Sequence, residues 1–190
     1  MRTLAFVSLL VLLPLSAGAL QPTVADAAEA LRAAVSFFHD EVADHGGYVW
    51  RYSGDLALRE GKARTDGSAV WVQPPGTPAV GTAFLDAHEA TGEQMHLNAA
   101  IDAARCLLQG QQLSGGWHYS VQFDPEKRAE RMYRVDHPNE GLGPTTAPGE
   151  GEGWHVWRKR DHEANQTLLD DNTTATAIRF LARLDEALDF

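Results

Sequence analysis

Asp170, Asp171 and Asn172 stand together directly ahead of a segment in which Ile178, Leu181, Leu184 and Leu188 recur at helical spacing. One polar residue at a helix start is ordinary. Its oxygen accepts a hydrogen bond from an unpaired backbone N–H, a cap contributing about 1 kcal/mol, and Asn172 is placed to serve as that cap. Three exceed the need. Adjacent carboxylates repel each other, and without a nearby cation one takes up a proton or both stay solvated. The excess marks this turn as a place for function. Other reactive residue types offer less. Cys106 is alone, so no intrachain disulfide can form, and its apolar helical run, Ala103 to Leu108, suits a small buried side chain better than a nucleophile. The eight His residues include no His-x-x-x-His pair. The Glu-x-x-His on a predicted helix, Glu93 to His96, has no helical counterpart that would complete a metal site.

The elements that must position the acidic turn begin after a leader. Arg2 is a short positive start, Leu4 to Leu15 is apolar and broken by Pro14, and Ala17-Gly18-Ala19 fits a small-residue cleavage site. Residues 1–20 therefore read as a signal peptide, and the mature chain 21–190 as one modest domain that is secreted or periplasmic. The apolar run is too short to span a bilayer comfortably, so no stable membrane insertion is expected after signal removal. The formal charge is -10, and -11 once Arg2 is lost with the leader. Such a surface repels nucleic acid and other polyanions unless metal ions or a local basic patch intervene.

Ala25 to Ala43 carries Ala28, Leu31, Ala34, Val35, Phe38 and Val42 at helical intervals, with Asp26 and Glu29 near its positive end. His45-Gly46-Gly47 ends it, and Tyr48 to Tyr52 reads as a short extended segment. Ser53 to Gly76 is predicted to be a loop, with a short strand at Ala69 to Gln73. A second helix should run from Pro78 or Ala79 through Ala90, and a third from Glu93 to Gln111, the two forming an antiparallel hairpin. A repeat is visible: Gly46-Gly47-Tyr48-Val49-Trp50-Arg51-Tyr52 and Gly115-Gly116-Trp117-His118-Tyr119 each follow a helix and precede a loop and then another helix. Glycines there allow close backbone approach, and the aromatic fills the gap between successive helix pairs. Residues 126–163 form a long loop rich in Gly and Pro that also holds Trp154, Trp157, Arg158, Lys159, Arg160 and His162. Aromatics among cations suit sugar rings and carboxylates, or serve merely to dock the loop.

Thr82 to Glu93, Ala103 to Leu108, Gly110-Gln111 and Ser114 to Trp117 together resemble the helix pair and Gly-Gly-Trp turn of the family 10 pectate lyases. The run Leu168 to Arg183, Leu-Leu-Asp-Asp-Asn-Thr-Thr-Ala-Thr-Ala-Ile-Arg-Phe-Leu-Ala-Arg, resembles the same family's Asp-Asn motif heading an inner helix. Counted back from Ile178, Asp170 matches the family's Asp and Asp171 stands where Asn is usual; a register shifted by one matches Asp171-Asn172 instead. The resemblance implies an all-α fold, an incomplete α/α toroid of helix hairpins with Gly-Gly-aromatic turns and long loops. It also implies calcium and a β-elimination on polygalacturonate. The proton-abstracting arginine of the family falls beyond Phe190, so the chain is expected to be a fragment or a truncated copy and its catalytic base is unassigned.

That chemistry would use these residues as follows. The proton next to a uronate carboxylate is a poor acid until the negative charge is neutralised, and calcium does this through oxygen ligands of the kind Asp170, Asp171 and Asn172 offer. The ion also lets an acidic protein meet an acidic polymer. Arg51, Trp117, His118 and Tyr119 on the Gly-Gly turns, Arg158 and Arg160 on the long loop, and Arg179 on the last helix are the candidate substrate contacts. For Arg179 and Arg183 the alternative is a helix-face charge paired with Asp185 or Glu186. Three functions compete: a secreted pectate lyase, a non-catalytic carbohydrate-binding or scaffold protein, and a metal-dependent hydrolase.

Overall fold

Thr23 opens the first helix with a reciprocal cap. Its hydroxyl oxygen accepts from the Asp26 N–H at 3.1 Å, and Asp26 accepts from the Thr23 N–H at 2.8 Å. The helix α1, Val24–Phe37, then widens into a π turn, Phe38–Val42, where the sequence predicts unbroken α-helix. The wider turn accompanies two contacts across the fold: the Phe38 ring packs on Tyr48 with centroids 6.2 Å apart, and His39 Nε2 meets Asp102 at 3.0 Å. The computed structural model describes residues 21–141 and 163–189. The signal-peptide reading, and most of the long polar loop including Arg158 and Arg160, lie outside the described residues.

The close approach expected of the Gly-Gly-aromatic turns is made by both glycines of the first and by Gly116 of the second, where a Cβ would fall 2.3 Å from Thr167, while Gly115 has open space around it. A Cβ on Gly46 would sit 2.5 Å from the Asp102 carbonyl, and one on Gly47 would sit 2.6 Å from Cys106 Sγ. The aromatic that follows is sealed in each copy, Tyr48 at 1 % exposure and Trp117 at 3 %. The likeness extends further than the sequence shows. The Tyr48 N–H donates to Thr77 Oγ1 at 3.0 Å and the Trp117 N–H donates to Thr174 Oγ1 at 3.1 Å. Each turn thus clasps a threonine in the first turn of the next long helix.

Those helices are α2, Thr77–Thr91, and α5, Thr173–Ala187; between them come α3, Gln94–Gln109, and the short α4, Pro125–Ala129. The α2–α3 hairpin forms as predicted, and Gly92, left-handed at φ 71, closes α2 by donating to the His88 carbonyl at 2.7 Å. Leu85, Ala100, Ala103, Leu107 and Phe180 fill the core between α2, α3 and α5. Cys106 lies within this core, and burial pushes its thiol up to about 12, as a structural cysteine requires.

The all-α expectation is corrected here. The described residues form five α-helices and two small antiparallel sheets, a mixed α/β arrangement, and no toroid is shown. Strands β1 Arg51–Tyr52, β2 Arg59–Glu60 and β3 Arg64–Thr65 make one sheet; β4 Ala69–Trp71 and β5 Ser120–Gln122 make the other, with Trp71 opposite Ser120. The physical reason lies in the backbone. The stretch from Ser53 to Gly76, read mostly as loop, enters the core at Val70 and Val72, and along it N–H and C=O groups find partners by pairing as strands. Val70, Val72 and Val121 go into the main core, while Ala69 and Trp71 pack with Val49 in a second cluster on the opposite side.

Candidate functional site

The acidic turn is held from two sides. Upstream, the chain lies along the second Gly-Gly turn: Asn165 accepts from the Ser114 N–H at 2.7 Å, Thr167 Oγ1 from the Gly116 N–H at 3.1 Å, and the Leu168 N–H donates to the Trp117 carbonyl at 3.0 Å. Downstream, Thr173 and Thr174 are buried at the head of α5. Between these anchors Asp170–Asn172 makes one 3₁₀ turn in which Asp171 (φ 50) and Asn172 (φ 59) are both left-handed. Asp and Asn tolerate this conformation better than other non-glycine residues. Asn172 occupies the cap position, yet its side chain makes no capping bond, contrary to the sequence reading. The turn therefore stores conformational cost that helix initiation does not require.

All three residues are exposed, and each of the two carboxylates takes a side-chain donor. The Tyr119 hydroxyl donates to Asp170 Oδ2, and Gln73 Nε2 donates to Asp171 Oδ2 at 2.8 Å. Tyr119 and Gln73 are themselves neighbours, since the Gln73 N–H donates to the Tyr119 carbonyl at 3.2 Å beyond the paired part of β4 and β5. Each carboxylate thus commits one oxygen to a donor at the end of the β4–β5 ribbon. The Trp50 indole N–H donates to the Gln73 carbonyl at 3.0 Å, which ties the first Gly-Gly segment to the same point.

Around this point the structure gathers some of the predicted contacts and disperses others. Tyr119 is at the centre, with Lys62 Nζ 5.3 Å above its ring. His118 stands edge-on to Tyr119, ring centroids 5.3 Å apart. Burial, reinforced by Arg131 and opposed by Asp170, lowers its pKa to about 4, so the imidazole is neutral at neutral pH, and its Nδ1 is sealed with no partner among the described residues. Trp117 is not a ligand contact: it is buried and its indole N–H donates to the Leu107 carbonyl at 2.8 Å. Arg51 is exposed on β1 and paired with Glu60 at 3.1 Å. Arg179 is exposed on α5. Arg183 pairs with Asp86 and Glu89 of α2, at 2.8 and 2.6 Å, rather than with Asp185 or Glu186.

Two residues here escaped the sequence reading. Lys62 had no signal beyond lying in a charged loop. Gln73 had one: it precedes Thr77 by four residues, as Asp170 precedes Thr174, so the repeat would have aligned it with the acidic turn.

Among the described residues no group of three or more His, Cys, Asp or Glu side chains could hold a metal ion. The donor set at the turn is smaller and of another kind, two carboxylates each with one oxygen that has no partner among the described residues, plus the Asn172 amide, all exposed. Oxygen donors on an open turn fit a hard cation that completes its shell with water or with an incoming carboxylate. No family model, no curated protein and no solved structure matches this chain.

Proposed function

We propose that this is a secreted, pectate-lyase-like protein that engages polygalacturonate through calcium at Asp170, Asp171 and Asn172, with β-elimination as its reaction. The observation that carries the reading is the paired restraint of the two exposed carboxylates by Tyr119 and Gln73, with the second oxygen of each without a partner among the described residues. The left-handed pair Asp171–Asn172, costly and unnecessary for starting α5, supports it. Calcium bound here would neutralise a uronate carboxylate and so acidify the neighbouring C–H. The residues of the chain have separate tasks. Asp170, Asp171 and Asn172 would hold the ion, Tyr119 and Gln73 each bind one carboxylate oxygen, and Lys62 above Tyr119 would add positive charge for an acidic polymer.

Binding without cleavage is the second reading, and one observation favours it. The group beside the turn with a strongly displaced proton affinity is His118, and an imidazole held neutral down to about pH 4 is a weak acceptor for a carbon-bound proton. The test uses the chain from Gln21 with polygalacturonate and calcium. Release of unsaturated uronides, read as rising ultraviolet absorbance, is the expected result. Calcium-dependent binding with no absorbance change would select the second reading. Asp170→Ala should weaken calcium-dependent affinity by roughly tenfold or more; affinity equal to the parent's would remove Asp170 from the ligand set.

A further inference from the structure

With 16 basic and 26 acidic residues, carboxylates are at hand for Arg59, Arg128 and Arg183, and each is taken up in an ion pair. Arg64 and Lys127, like Lys62, Arg134 and Arg179, form no ion pair with another described residue; hydrogen bonds from Ser68 hold the Asp66 carboxyl below the usual range, and Lys127 is near enough to help. Arg64 and Lys127 are both exposed, come from distant points of the chain, β3 and α4, and line one cavity of about 520 Å³.

Trp71, 7 % exposed, and Gln122 both line that cavity, with Trp71 Nε1 and Gln122 Oε1 sealed inside the wall and without a partner among the described residues. A ligand would meet those two atoms only where the wall gives, so the accessible groups are the side chains at the rim. Thr65 Oγ1 accepts from the Gly67 and Ala69 N–H groups at 3.3 and 3.2 Å, which leaves its own proton to donate. The lining includes one carboxylate, Asp66, which is turned back on its own loop and accepts from the Ser68 N–H at 3.1 Å. Cations, donors and one acceptor around a space of this size suit a ligand that carries both a carboxylate and hydroxyls.

The position matters as much as the lining. Trp71 ends β4 in this cavity, and Gln73, two residues on and about 7 Å along an extended chain, holds Asp171. Lys62, on the turn between β2 and β3, lies over Tyr119, the donor to Asp170, while Arg64 of the same hairpin lines the cavity.

We infer that the cavity between Arg64 and Lys127 is a second, calcium-independent subsite for the carboxylate of an acidic sugar, adjacent to the acidic turn on the β4–β5 ribbon; this rests on the reading of the chain as a polygalacturonate-binding protein. It supplies by direct ion pairing what the acidic turn supplies through a cation, so a chain of uronates is gripped at two successive places by opposite means.

Calorimetry with trigalacturonate, in calcium and in chelator, tests this on the parent, Arg64→Ala/Lys127→Ala and Asp170→Ala chains, with circular dichroism confirming that each is folded. The expected result is binding in calcium that Asp170→Ala weakens, together with a weaker component in chelator that falls several-fold when salt is raised, persists in Asp170→Ala, is lost in the double variant, and is absent for a neutral galactose oligomer. Equal binding by the parent and the double variant in both conditions overturns the subsite, while loss on Asp170→Ala in calcium alone would keep the acidic turn. Binding that needs Arg64 and Lys127 but ignores Asp170 and calcium overturns the calcium reading and keeps the subsite. No binding by the parent in either condition overturns both.

Discussion

His118 shows at the scale of one side chain how the site's surroundings set its chemistry. Burial among the Gly-Gly-Trp turn and the nearby Arg131 disfavour the imidazolium, and the facing Asp170 does not compensate. A base whose folded pKa lies below its unfolded value refuses a proton that the unfolded chain accepts. Its contribution to stability is therefore complete above about pH 6.5 and is lost as pH falls from there toward about 4. The sealed His96, also lowered by burial, adds to the same slope. Thermal melts of the parent and His118→Phe should converge in slope above pH 7, with the variant losing less of its melting temperature between pH 6.5 and 4. Parallel curves through that range would mean that His118 is protonated in the folded state.

At the scale of elements, the informative unit is the pairing of a Gly-Gly-aromatic turn with the threonine that heads the next helix. Thr77 and Thr174 each receive the N–H of a buried aromatic, Tyr48 or Trp117. Removing the hydroxyl strands that N–H without water. Thr77→Val and Thr174→Val, which keep the shape, should each cost ~1–3 kcal/mol in urea unfolding. The two differ in their consequence for binding. Thr174 follows the acidic turn by two residues, so its variant should also reduce calcium-dependent pectate affinity, whereas Thr77→Val should leave that affinity closer to the parent's. Equal effects on affinity would show that the acidic turn is not positioned through the head of α5.

For the whole molecule, the decisive contact is the docking of α5 on the α2–α3 hairpin. Gly81 of α2 lies against Phe180 of α5, and a Cβ there would fall 2.3 Å from the ring. Phe180 is 1 % exposed, so the ring has little room to withdraw. Gly81→Ala should therefore destabilise by ~1–3 kcal/mol although alanine is the better helix former. A gain in stability would indicate that the core yields at this point. Because α5 is entered from the acidic turn, any loosening of this contact also loosens Asp170 and Asp171. Arg183 reinforces the same closure from the rim through Asp86 and Glu89.

What the chain determines locally was legible in its residues. Apolar spacing located α1, the α2–α3 hairpin and α5 to within a few positions, the Gly-Gly-aromatic repeat marked both tight approaches, and the buried state of Cys106 followed from its run. Helices are legible because their pattern and hydrogen bonds are contained in one segment. The sheets were not, apart from the strand at Ala69 and the extended segment that holds β1, because β4 takes its partner from β5 about fifty residues away and β2 and β3 are too short to show alternation. That pairing turned the expected all-α toroid into a mixed fold. It also brought Gln73, Lys62 and Tyr119 to the acidic turn and Arg64 to Lys127. The sequence alone determined that Asp170, Asp171 and Asn172 had more charge than a helix start needs. Only tertiary structure decided where their oxygens turn, because the donors that aim them arrive through backbone hydrogen bonds between strands distant in the chain.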